Sequence, residues 1–518
     1  MPKLACQLFM RLANFVAMRF LYFLISVCLA VSAFAQDNAP RKIELLHANE
    51  LQYDERQTGK VRRLLGDVQF KHDDALMFCD SAWLYTENNT LDAFSNVHIN
   101  QGDTLDLYGQ KLNYNGNTKV AVVTGNVVLI DKEIKLTTDR LTYDRASGMS
   151  NYTTGGKIVQ KEDTLTSIFG YYYSGEKMLH FRKNVVLVNP KYTINCDTLK
   201  YKTTTEVAYF LGPTVIVSDE NTIYCENGWY DTHKDVSQFN QHAKITSKEQ
   251  TITGDSIYYD RANGFGKAIN NIILRDTIQK VVINGDYGEF FRSDEKTILT
   301  GKALMKQNLS GDTLYLHADT LKTTLDTISE KRTLFAYKKA KFFKSDFQGM
   351  CDSLVYSYKD SAISMYYLPI LWNDSNQLTA DTTFLQMANS KMHEMRMRNN
   401  SFIISSEDTA HYNQIKGKNM NGFFRDSKLY KVRVIGNGQT VYYAKEEGKP
   451  LENVNKAESS DMLIFVDSNK VKSITFITKP DATLYPLKEV AKEDLKLKDF
   501  SWKNIMRPRR IEDVFRWE

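Results

Sequence analysis

The residues best equipped for chemistry recur on a schedule. An aspartate returns at Asp80, Asp139, Asp197, Asp255, Asp286, Asp319, Asp352 and Asp381. Carboxylates facing one another across a sugar are what glycoside hydrolysis needs, one as acid and one as base or nucleophile. A column that returns in nearly every copy of a repeat has a simpler explanation in corner chemistry, each carboxylate accepting nearby backbone N–H groups. Met387, Met392, His393, Met395 and Met397 form a second cluster. Soft thioethers hold Cu(I), but Met also fills irregular core, and filler is the reading we favour. The nine His residues are scattered without metal-ligand spacing. There is no Gly-x-Ser-x-Gly and no phosphate loop. No catalytic residue, metal site or cofactor is expected, and the chain reads as a binding or structural protein rather than an enzyme.

What carries the aspartates is a repeat, seen most clearly in Ile194-Asn195-Cys196-Asp197-Thr198-Leu199-Lys200-Tyr201. Its Leu-x-Tyr pair returns at Leu112/Tyr114, Leu141/Tyr143, Gly170/Tyr172, Gly228/Tyr230 and Ile257/Tyr259, and the step from Tyr114 to Tyr259 is 29 residues five times running. Twelve copies are recognisable between Leu51 and Leu385, a period that marks a repeat architecture. Residues two apart share a face of a strand. Ile134, Leu136 and Thr138 share one parity, whereas Leu141 and Tyr143 share the other, so one residue is out of phase at Asp139. A parity flip of this kind is a bulge or corner. The residue before it is small, as at Cys79, Gly109, Thr138, Cys196, Cys225 and Cys351, which the narrow inside of a V demands.

A second strand with a Gly/Asn break follows each corner, as in Gly125-Asn126-Val127-Val128-Leu129, after a turn such as Arg145-Ala146-Ser147-Gly148. Two strands per copy with short turns make antiparallel neighbours. The expected fold is all-β: an elongated repeat β-jelly-roll, a folded-over, V-shaped antiparallel sheet of the β-taco or solenoid kind, with a small C-terminal cap. Charged residues on the non-core parity (Lys135, Arg140, Lys200, Lys202) argue against a membrane barrel.

Residues 1–35 read as a cleaved secretory signal. Lys3, Arg11 and Arg19 precede the apolar run Phe20–Val31, and Ala33-Phe34-Ala35 fits a cleavage site before Gln36. Its removal takes the net charge from +5 to +2, no footprint for nucleic acid. Export invites disulfides, yet Cys79, Cys196, Cys225 and Cys351 all hold the small corner position. They are expected as buried core thiols, with a Cys196–Cys225 bond as the alternative. The chain then divides into repeats over 36–210 and 211–385, an irregular stretch at 386–449, and a C-terminal region at 450–518. In that last region an amphipathic stretch is expected to cover the last open edge, and the basic Arg507, Arg509 and Arg510 to form a solvated end.

The Gly-Asn-Val-x-Leu strands, the Asp-x-Leu-x-Tyr-Asp corners and the export signal resemble the OstA/LptA family of lipopolysaccharide-transport proteins, and more narrowly the long OstA-like proteins of Bacteroidetes. The tail resembles that group's C-terminal segment through Lys479-Pro480-Asp481-Ala482-Thr483-Leu484-Tyr485-Pro486 and Arg507-Pro508-Arg509. The resemblance implies a periplasmic or outer-membrane-associated protein that binds lipopolysaccharide or lipid A in an apolar β trough. It also implies help in bridging inner to outer membrane. Expected partners are the inner-membrane complex and an outer-membrane LptD-type barrel, joined by edge-strand pairing near Ile43–Tyr53, with head-to-tail self-association also allowed. Groove-lining candidates are Leu112, Tyr114, Val127, Leu129, Leu141, Tyr143, Leu199, Tyr201, Ile257 and Tyr259. Two alternatives are an exported structural or adhesive β-solenoid with a filled core and a carbohydrate-active β-helix enzyme.

Overall fold

The computed structural model describes residues 41–53, 61–102, 105–131, 134–309, 311–389, 391–426, 428–444, 450–467 and 470–517. The expected signal at 1–35 lies outside the described residues. Among the described residues are 36 strands and four short 3-10 segments, and neighbouring strands pair antiparallel. The all-β repeat fold expected from the sequence is present. No described helix is long and apolar enough to cross a membrane. The chain divides into two compact units, one ending at Glu176 and the other beginning at Lys177.

The corner is a two-against-one bulge. In the pair Val120–Asp131 and Ile134–Asp144, Thr124 faces Arg140 and Val127 faces Thr138, which leaves Gly125 and Asn126 opposite Asp139 alone. Gly125 and Asn126 both turn left-handed, at φ 82° and 47°, which Gly and Asn tolerate better than other residues. The same break falls at Asn270-Asn271 and Asn399-Asn400. The aspartates therefore mark the corner, as the parity flip implied, but their partners differ from the backbone donors expected. Asp80 accepts from Asn96 Nδ2 at 2.8 Å, Asp255 from Asn271 at 2.9 Å, and Asp381 from Asn400 at 3.1 Å. The carboxylate pins the extra residue of the neighbouring strand, a structural task. Backbone N–H groups are instead held by the hairpin aspartates after the Leu-x-Tyr pair. Asp144, for example, takes the N–H of Ala146.

The small corner residues sit where two walls meet. A Cβ on Gly109 would lie 2.3 Å from Val123 Cγ1. All four described cysteines are buried and free. Cys196 and Cys225 are separated by a whole strand, since Thr214 pairs with both. Two strand spacings put their Cα atoms about 9.6 Å apart, beyond disulfide reach. Copies with a Gly in the Leu-x-Tyr pair are compensated elsewhere. Tyr152 fills the interior beside Gly170, where an added Cβ would lie 2.2 Å from its ring.

The C-terminal region departs from the expected edge cap. The last strand, Asp481–Pro486, pairs with Asn453–Asp467 and is exposed at every residue. Beyond it, residues 487–517 run along an outer face of the second unit. Arg507 is no solvated basic end: its Nε donates to Gln348 Oε1 at 2.7 Å, and its guanidinium also reaches Asp374 O at 2.6 Å. At the other end of the chain, Glu44–His47 and Glu50–Tyr53 pair with Val61–His72 and are largely exposed.

Candidate functional site

Strand register lines up the inward side chains into rows. On the wall before the corner in the first unit, one row runs through Phe70, Met77, Ile99, Leu107, Leu129 and Leu136, each opposite the next. On the wall after the corner, Leu91, Tyr114, Ala121 and Tyr143 form the row nearest the mouth of the V. Every one of these side chains is buried.

The first unit's mouth is clasped. Arg145, its side chain 6% exposed, reaches across to the Asp74 carboxylate. Its Nη1 donates to Tyr114 Oη at 3.1 Å and to His72 O at 3.3 Å. His72 Nδ1 lies 2.6 Å from the same Tyr114 hydroxyl. Lys119 pairs with Asp73 at 2.8 Å, and this hydrogen bond holds the Asp73 carboxyl below its ordinary pKa. Tyr143 Oη donates to Gln101 Oε1 at 2.9 Å. Each link joins the end of one wall to the end of the other.

The second unit repeats the rows with a looser clasp, in which Arg292 pairs with Glu220 at the surface. Leu187, Ile194, Ile216, Ile223, Ile245, Ile252 and Leu274 form its row before the corner. Its mouth row after the corner alternates large and small: Tyr201, Ala208, Tyr230, Ser237, Tyr259, Gly266. Ile216, Ile223, Ile245, Ile252, Tyr201, Tyr230 and Tyr259 are only half-buried, although the deeper row at Leu199, Phe210, Phe239 and Ile257 is closed. The repeat position that holds Arg145 is Thr203 and Thr232 in two copies of this stretch and Arg261 and Arg292 in the next two. Their hydroxyls donate to Lys177 O and Glu206 O in the same turn region, not across the mouth. The ion pair over this stretch, Arg292–Glu220 at 3.5 Å, leaves both side chains more than half exposed, a geometry worth little in water. Farther along, Arg332 and Asp276 meet at 3.2 Å with both side chains at least 86% buried, and Tyr358 Oη donates to Gln307, so the mouth closes again. Nearer the C-terminus a cavity of about 220 Å³ is lined by Ile403, Ile415, Leu429, Val432, Tyr442 and Ile474 among others. Asn376, Glu407, Asn413 and Gln414 also line it, so it is a mixed rather than an apolar cavity.

The ten candidates from the sequence thus fall into two groups. Leu112, Tyr114, Val127, Leu129, Leu141 and Tyr143 are packed inside the clasped first unit, and Leu199 and Ile257 lie at depth in the second. Tyr201 and Tyr259 alone of the ten stand half-buried at the mouth. The isoleucine row before the corner was missed, although its period-2 pattern is visible at Tyr192, Ile194 and Cys196. The clasp was missed because its partners, Arg145 and Asp74, are 71 residues apart.

The other chemical candidates resolve into packing. Met387, Met392, Met395 and Met397 are buried on the inner face, whereas His393 is exposed on the opposite one. Burial pushes the thiols of Cys79, Cys196, Cys225 and Cys351 up to about 12. Among the described residues no three His, Cys, Asp or Glu side chains converge as a metal site.

Corner bulges, stacked hairpins and an apolar interior define a repeat β-roll. The sequence model of the OstA-like protein family matches residues 40–197 and 193–255, so this stretch of the chain is OstA-like, as its corners implied. That family is one of binding and transport, tied to lipopolysaccharide, and not an enzyme family. No curated protein matches the chain.

Proposed function

We propose that the protein binds lipopolysaccharide in the periplasm, shielding lipid A acyl chains against the open row of its second unit, and helps carry the lipid toward the outer membrane. The observation that carries this reading is the half-buried isoleucine row facing the tyrosine row between Leu187 and Tyr259. Apolar surface left at the mouth of a V, above a closed deeper row, is a place for an extended hydrocarbon. Each methylene moved there from water contributes about 0.8 kcal/mol. The lipid's sugars and phosphates stay in solvent. The exposed strands Glu44–His47 and Glu50–Tyr53 at one end, and Asp481–Pro486 near the other, leave backbone groups for strand addition by transport partners or by another copy. The closed core of residues 41–176 favours a supporting role for that unit, as in a filled structural solenoid.

The test is native mass spectrometry and lipid extraction on the protein purified from a Gram-negative periplasm. Lipid A or lipopolysaccharide should co-purify, and should be lost in Ile223→Asp/Ile245→Asp with the β signature in circular dichroism retained. Charge at Leu141 or Leu199, both sealed in the core, would unfold the protein and say nothing about lipid. A folded wild-type protein that carries no lipid and takes none up would hand the whole chain to the filled-solenoid reading.

A further inference from the structure

Where the repeats expose polar residues on the outer parity, the second unit's last copies bury them. Lys341, Gln348, Met350, Ile370, Trp372, Gln377, Gln414, Val441 and Tyr443 are all covered on that side. The cover is the segment 487–517. It forms no strand with the wall, and its own hydrogen bonds are short local turns such as Lys496 N–H to Glu493 O and Arg516 N–H to Asp513 O.

What holds this segment is a pair of identical clamps. Gln414 Nε2 donates to Leu495 O at 2.7 Å, while its Oε1 accepts from the Leu497 N–H at 2.8 Å. Gln377 Nε2 donates to Ser501 O at 2.7 Å, while its Oε1 accepts from the Lys503 N–H at 2.6 Å. Each glutamine therefore reads the carbonyl of one residue and the N–H of the residue two farther on, as an adjacent strand would. Both glutamines are at most 1% exposed. Around the clamps lie two apolar beds: Met350, Ile370 and Trp372 take Met506 and Trp517; Val441, Tyr443 and Val454 take Leu487, Val490, Leu495 and Leu497. Lys416 adds a bond to Lys498 O, and Lys341 one to Arg516 O. The fit is incomplete, since Trp372 Nε1 is buried with no hydrogen-bond partner among the described residues.

Backbone clamps between apolar beds are the design of a peptide-binding track, which needs an extended chain and few particular side chains. We infer that the outer face from Gln348 to Tyr443 is a peptide-binding site and that residues 487–517 are its tethered, dissociable ligand. The tether begins after Pro486, the last residue of an exposed edge strand, and release there breaks one further backbone bond, from the Leu487 N–H to Glu452 O at 2.8 Å. This inference stands on the outer face and does not depend on lipid binding inside the V.

The test uses the full chain with a protease site inserted between Pro486 and Leu487. After cleavage the nicked segment should remain bound on size exclusion, and an excess of fluorescent peptide 487–518 should displace it. The same peptide N-methylated at Leu497 and Lys503 lacks the two donors that the glutamines read, and should compete at least tenfold more weakly. Gln377→Ala/Gln414→Ala should weaken the unmodified peptide to a similar degree. A nicked segment that leaves only when the whole protein unfolds would show it to be an integral layer of the fold and overturn the inference. Equal competition by the methylated and unmodified peptides would overturn it as well.

Discussion

Leu129 and Ile245 occupy equivalent repeat positions in the two units, each facing its row's next member across a strand pair, Leu136 and Ile252 respectively. Leu129 is 5% exposed under a clasped mouth, whereas Ile245 is half-buried at an open one. Truncating a packed leucine to alanine costs about 2–5 kcal/mol, because the cavity it leaves stays empty. Ile245 has only part of its ~1.5–3 kcal/mol burial term to lose, and solvent fills the gap, so Ile245→Ala should cost about 1 kcal/mol. At roughly 2–4 °C per kcal/mol for a unit the size of the first, and less for the larger second unit, calorimetry should show a shift of several degrees for Leu129→Ala and a much smaller one for Ile245→Ala. Lipid uptake, read by titrating a fluorescent acyl probe into the full-length protein, should run in the opposite order. Ile245→Ala should lose about tenfold in affinity, the equivalent of ~1.4 kcal/mol of missing contact, and Leu129→Ala should lose little. Equal destabilisation by both variants, with probe binding untouched in Ile245→Ala, would mean that the isoleucine row is ordinary filled core.

The remaining expectations concern the clasp, the corner and the interior. Thr232→Arg should place over the Tyr201 copy the kind of guanidinium that Arg145 supplies in the first unit, and should slow or abolish acyl-probe uptake with the melting temperature kept or raised. The Asp73 carboxyl, held low chiefly by the Lys119 hydrogen bond, contributes stability that is complete above its ordinary pKa near 3.8 and is lost as pH falls through its folded value. Acid-unfolding curves of wild type and Lys119→Ala should therefore differ near neutrality and converge in strong acid, and a gap that persists there would remove Asp73 as its source. Gly170→Ala drives a methyl into the Tyr152 ring and should cost about 1–3 kcal/mol, partly restored by Tyr152→Leu in urea titrations. Cys79, Cys196, Cys225 and Cys351 should resist a thiol reagent until denaturant is added, and an oxidant should form no Cys196–Cys225 bond in the folded protein.

Much of the fold is legible because the repeat makes each local signal redundant. The parity flip at Asp139 locates a corner, the small residue before it gives the inside of that corner, and the Gly125-Asn126 break supplies the left-handed bulge opposite. Burial at Leu112, Leu141 and Leu199 follows from the same parity. Exposure at the mouth does not, since Tyr143 and Tyr201 occupy equivalent repeat positions and yet one is sealed and the other half-open. Parity fixes which face a side chain occupies; what lies across the V depends on residues tens of positions away. The tail was legible as amphipathic, but its place on an outer face depended on Gln377 and Gln414, whose amides look like ordinary surface polarity until Ser501 and Leu495 lie against them.

Reach explains why one repeat produces both a closed and an open interior. A guanidinium at position 145 spans from its own hairpin to Asp74 and the Tyr114 hydroxyl, which ties the two walls and seals the ring beneath. A threonine at the matching positions 203 and 232 is too short to span the mouth and satisfies its hydroxyl on a neighbouring turn instead. Below Thr232, Tyr230 Oη donates to Asp235 on its own side, at 2.7 Å. Their rings keep the apolar face while their hydroxyls point to the rim, the posture of an amphipathic side chain at a boundary between hydrocarbon and water. The interior needs no change of fold to open at its rim. Shortening one side chain in two consecutive copies leaves the corner, the register and the deeper row intact, and removes only the lid.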